Sequence, residues 1–144
     1  MVASKCGGIG PAPRNDSPLR VEAERVIDES RAAWEAFSPQ GALEATWRLI
    51  GSTNSYLELH APWKMNAGGQ VDAVMGDALE AIRLVTILAT PAMPKVCEEI
   101  WRRLGLGGSP TDELFERSAV WGLYPGDRTV EKGDPLFPRI KSDS

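Results

Sequence analysis

The chain has 144 residues, 42% of them hydrophobic and 25% charged, with a formal net charge of −4; that balance fits one folded globular domain and excludes a disordered or fibrous chain. A negative total argues against broad, sequence-blind attachment to a phosphate backbone, which needs a basic face. No apolar run approaches bilayer length and the N-terminus lacks a basic segment followed by an apolar one, so a cytoplasmic location is expected, with an organellar matrix as the alternative if a longer precursor exists.

Met1 to Cys6 reads as the last turns of a helix whose beginning is missing, closed by the breaker cluster Gly7-Gly8-Ile9-Gly10-Pro11-Ala12-Pro13. Ser17 can then cap a helix with Pro18 in its first position, and residues 19–36 carry Val21, Ala23, Val26, Ile27, Ala33 and Trp34 as its apolar face. Ser38-Pro39 repeats the start signal. Leu43, Trp47, Ile50, Asn54 and Leu57 follow at steps of four and three, which predicts a second helix ending at His60.

Pro62 stops that helix and steers Ala61 towards extended angles, so Trp63 emerges in a loop that runs through Gly68-Gly69. A third helix is predicted from Val71, with Val74, Met75, Ala78, Ile82 and Val85 inward and Asp77, Glu80 and Arg83 towards solvent. Thr90 to Pro94 interrupts the pattern. Val96, Cys97, Ile100, Trp101 and Leu104 give a fourth helix that stops at Gly105, and a short helical turn is expected around 112–117. Beyond it the chain reads as extended, anchored at Trp121-Gly122-Leu123 and at residues 135–140.

The side chains that could carry function cluster around the end of the second helix. Asn54 falls on the apolar stripe, so its amide is expected in the interior or at its rim. There it either pins the helix to a neighbouring backbone or orients the Ala61 to Trp63 loop. Tyr56, on an adjoining face, suits core packing, and His60 can cap the last carbonyls of its helix. Trp63 leaves an indole at a helix end, either as a plug for the bundle or as a platform for an unstacked base; Lys64 beside it is either a solvated lysine or a phosphate contact.

Chemistry is harder to find. Cys6 and Cys97 have no CxxC spacing and no histidine partner, so reduced thiols are expected rather than a zinc site or a disulfide framework. The sequence offers no GxxxxGK[ST] or GxGxxG phosphate cradle, no HExxH and no Ser/His/Asp grouping, and its acidic runs read as solvated helix faces. Lys64-Met65-Asn66 lacks the second lysine of an adenylate-forming loop and reads as coincidence.

Several separated motifs, in order, resemble the anticodon-binding domain of bacterial and organellar methionyl-tRNA synthetases. They are Lys5-Cys6-Gly7-Gly8, Asn54-x-Tyr56, Ala61-Pro62-Trp63, Pro91-Ala92-Met93-Pro94, Trp121-Gly122-Leu123 and the stretch from Pro135 to Ile140. The resemblance implies an all-α helical bundle of four to five helices with an extended C-terminal tail: a bundle over residues 1–118, its first helix truncated, and a tail over 119–144 that packs on the bundle or on an absent catalytic domain. It implies tRNA anticodon recognition, with Trp63 stacking on an anticodon base and Pro62, Asn54 and Lys64 around it. The implied partners are the anticodon loop of tRNA(Met) and the synthetase catalytic domain, with no membrane and no DNA. No cofactor is expected in this chain, because ATP and methionine belong to that catalytic domain.

One departure weighs against a complete reading site. The family also contacts the anticodon through an Asn and an Arg on the helix before Lys5, and those positions fall before Met1. The competing expectation is a helical protein-interaction module that has lost RNA reading, which the acidic charge favours.

Overall fold

The structure, a computed structural model, describes residues 9–61, 69–112, 115–126 and 128–129. The helical turns expected at 1–6 and the anchor expected at 135–140 lie outside these residues. Four helices pack together: α1 (Pro18–Glu35), α2 (Pro39–His60), α3 (Gly69–Ala89) and α4 (Pro94–Arg103). A 3₁₀ turn at Pro110–Asp112 and the one-turn α5 (Phe115–Ser118) follow. The expected all-α bundle is therefore present. Two short strands that the sequence did not signal, β1 (Ile9–Gly10) and β2 (Arg128–Thr129), pair antiparallel with Ile9 opposite Thr129. Two residues each are too few to show a period of two.

Both Ser-Pro starts behave as expected. Ser17 accepts a hydrogen bond from the Leu19 amide at 3.2 Å and Ser38 from the Gly41 amide at 3.2 Å, each satisfying an orphan donor of the helix it begins. Between them α1 closes as a Schellman turn: the Ser38 amide donates to the Ala33 carbonyl, the Phe37 amide donates to the Trp34 carbonyl, and Phe37 takes the left-handed position with φ 57°. That position normally belongs to glycine. α4 ends in the same way with Gly105 at φ 78°.

The α2 stripe needs correction. Its buried residues are Ala42, Ala45, Thr46, Leu49, Thr53 and Tyr56, one position away from the expected set; of that set Leu57 does pack against the core, while Trp47 is 52% exposed and Asn54 is on the surface. The cause is the close approach of α1. The buried face of α2 carries the small Ala42 and Ala45, and the two buried threonines return their hydroxyls to their own helix, Thr46 to the Ala42 carbonyl and Thr53 to the Leu49 carbonyl. Leu43, Trp47 and Ile50 turn instead to a shallow apolar groove shared with Val85, Met93 and Val96. On α1, Val21 likewise points to solvent, and Leu19, Ala23, Val26 and Ile27 form the buried face.

α3 departs further from expectation. Asp77, Glu80 and Arg83, expected in solvent, are 0%, 0% and 2% exposed, and Ile82, expected inside, is 37% exposed. α3 is the central element: α1, α2, α4, β1, the 3₁₀ turn and α5 all contact it, so both of its faces are covered. Residues 119–124 lie against it as well. Ala119 and Trp121 join the main core of Leu19, Ala23, Val26, Leu49 and Leu84, and Tyr124 joins a second cluster with Val71, Met75, Leu79 and Leu104.

Candidate nucleic-acid interface

α2 ends where the sequence placed the stop, at His60, but Ala61 is not extended as expected. It adopts φ 46° and ψ 59°, and its amide donates to the Leu57 carbonyl at 2.8 Å, closing the helix with a left-handed residue. Asn54, expected at the interior or its rim, is exposed about one and a half turns earlier. Pro62, Trp63 and Lys64 lie outside the described residues. Tyr56 does pack in the core, and His60 sets its ring 4.4 Å from that of Tyr56, tilted by 54°.

The end of α2 is held by a polar bracket. The Asp77 carboxylate accepts from the Arg14 amide at 2.8 Å, from Arg14 Nε at 3.1 Å, from Arg14 Nη2 at 2.7 Å and from the Tyr56 hydroxyl at 2.6 Å. Arg14 Nη2 also donates to the Tyr56 oxygen at 2.8 Å, and the Trp121 indole N–H donates to the Arg14 carbonyl at 2.8 Å. A carboxylate with no solvent contact is stable only when its lone pairs are filled in this way. Burial, then the Asp77 hydrogen bond, pushes the Tyr56 hydroxyl up to about 12, and the same carboxylate holds the Arg14 guanidinium more firmly protonated.

About one turn along α3 a second carboxylate holds the C-terminal segment. Glu80 accepts from the amides of Gly122, Leu123 (2.9 Å) and Tyr124 (3.1 Å), and pairs with Arg83 at 2.5 Å. Arg83 in turn donates to the carbonyls of Ser118 at 2.9 Å and Val120 at 2.8 Å. Sequence reasoning missed Arg14, Asp77, Glu80 and Arg83. The available signal was that apolar residues occupy every face of α3, so charges embedded in it had to be buried with partners.

Among the described residues no three His, Cys, Asp or Glu side chains come together to hold a metal ion, and no helix is long and apolar enough to cross a membrane. Cys97 is a free, buried thiol whose pKa burial raises. What the geometry supplies is a helix end tied, through Tyr56, to Arg14 and Asp77.

No family model matches the chain. The methionine–tRNA ligase of Synechocystis is 30% identical over 98% of this chain and 30% of its own length. The chain is homologous to the methionine–tRNA ligases. The ligase of Halalkalibacterium halodurans is 38% identical over 69% of this chain and 15% of its own length. Among solved structures, the free Mycobacterium tuberculosis methionyl-tRNA synthetase superposes with a TM-score of 0.81 at 24% identity, over 97% of this chain and 29% of that one, which shows the shared fold. The chain thus spans less than a third of the length of these ligases.

Proposed function

We propose that this chain is the tRNA-reading helical domain of a methionine–tRNA ligase. It recognises the anticodon loop of tRNA(Met) and positions that tRNA for ATP-dependent attachment of methionine at the family's catalytic domain. The observation that carries the reading is the homology to the Synechocystis ligase over 98% of the chain. The bracketed end of α2 supports it, because a stacking platform needs a rigid mount. In this reading Trp63 stacks on an anticodon base, with Pro62 setting its direction and Asn54 and Lys64 making polar contacts.

Anisotropy of labelled tRNA(Met) tests it, with a tRNA of altered anticodon as the comparison. Trp63→Ala is expected to lower affinity about 5- to 150-fold, the equivalent of about 1–3 kcal/mol for one lost stack. Equal affinity for both tRNAs, unaffected by Trp63→Ala, refutes the reading. The net charge of −4 favours a second one, a helical protein-interaction module. That reading expects no tRNA binding even at low salt, and partner binding that survives Trp63→Ala.

A further inference from the structure

We propose that Arg14 is an RNA-phosphate contact, an inference that rests on the tRNA reading above and adds to it a residue outside the 61–64 segment. Arg20, Arg25 and Arg31 pair with acidic side chains three or four residues away on α1, and in each pair the side chains retain solvent contact. Such pairs are loosely held. Arg14 differs. Its partner, Asp77, has no solvent exposure, yet 41% of the Arg14 side chain remains accessible.

The bracket fixes the orientation of the guanidinium. Nε and Nη2 face Asp77, and Nη2 also reaches Tyr56, so one edge of the plane is committed to the protein. Nη1 makes no hydrogen bond among the described residues, which leaves its two donors for an external acceptor. An arginine already held in place loses little side-chain freedom when it binds, and planar N–H donors suit phosphate oxygens.

The place is also right for RNA. Tyr56, which Arg14 touches, stands four residues before the end of α2, about 6 Å along the helix axis. Asp77 does not cancel the attraction. A phosphate on the outer edge sits about 4 Å from the cation and about twice as far from the carboxylate behind it, and Coulomb energy falls inversely with distance.

The test is the salt dependence of tRNA(Met) binding to the full chain. Arg14→Gln is expected to weaken binding about 3- to 10-fold at low salt and to make the slope of log K against log salt shallower by about one, as loss of one phosphate contact requires. Tyr56→Phe, which removes a partner of Arg14 but keeps its charge, is expected to leave the slope unchanged. If Arg14→Gln does not fold, by circular dichroism, the neutral pair Arg14→Gln with Asp77→Asn carries the test, since it leaves no buried orphan charge. An unchanged slope, with wild-type binding intact, overturns the Arg14 contact alone. Absence of wild-type binding at every salt concentration overturns the tRNA reading, and this contact with it.

Discussion

Glu80→Gln isolates what a buried carboxylate does for this fold. The substitution keeps the shape but turns one acceptor oxygen into a donor. If the amide nitrogen replaces Oε1 it meets Arg83 Nε and the Tyr124 amide; if it replaces Oε2 it meets Arg83 Nη2 and the amides of Gly122 and Leu123. Either way at least two donors lose their acceptor. Hydrogen bonds to charged groups contribute about 1.5–3 kcal/mol each, and removing one partner of a buried pair costs about 3–5 kcal/mol. These overlap, so we expect a loss of about 4 kcal/mol. At about 2–4 °C per kcal/mol for a chain of this size, Tm should fall by about 8–16 °C. Urea unfolding followed by circular dichroism measures the free-energy loss and a thermal melt the change in Tm, with the exposed Glu24→Gln as a control expected to cost less than about 1 kcal/mol. A Glu80→Gln loss as small as that of the control would refute the claim that this carboxylate anchors residues 122–124.

Three further outcomes follow from the same physics. Phe37 holds a left-handed conformation while 92% exposed, so Phe37→Gly should relieve backbone strain at almost no burial cost and stabilise the chain by about 1 kcal/mol, read as a raised urea midpoint. Gly76→Ala should destabilise by about 1–3 kcal/mol or more in the same assay, because a Cβ there collides with the Ala12 carbonyl, which is backbone and cannot rotate aside. Tyr56, raised from 10.0 to about 12, keeps its proton in the folded chain after the unfolded chain has lost it. Its contribution is therefore complete below pH 10 and is lost as pH rises towards 12, up to about 3 kcal/mol; Tyr56→Phe should flatten that alkaline decline in stability.

Local residue chemistry sets the helices and their ends. Ser17-Pro18 and Ser38-Pro39 start helices because a hydroxyl and a fixed φ act within three residues, and Gly105 ends one equally locally. The motif order also made the ligase homology legible. Which face of each helix is buried depends instead on how the helices assemble. Asn54 and Trp47 face outward because α1 and α3 pack on the neighbouring face of α2, and Asp77, Glu80 and Arg83 are buried because residues 14 and 118–124 fold over α3 with the matching donors and acceptors. Those partners lie 35 to 63 residues away along the chain. A pattern read within one helix records which residues are polar, whereas burial of a charge depends on distant groups arriving to satisfy it.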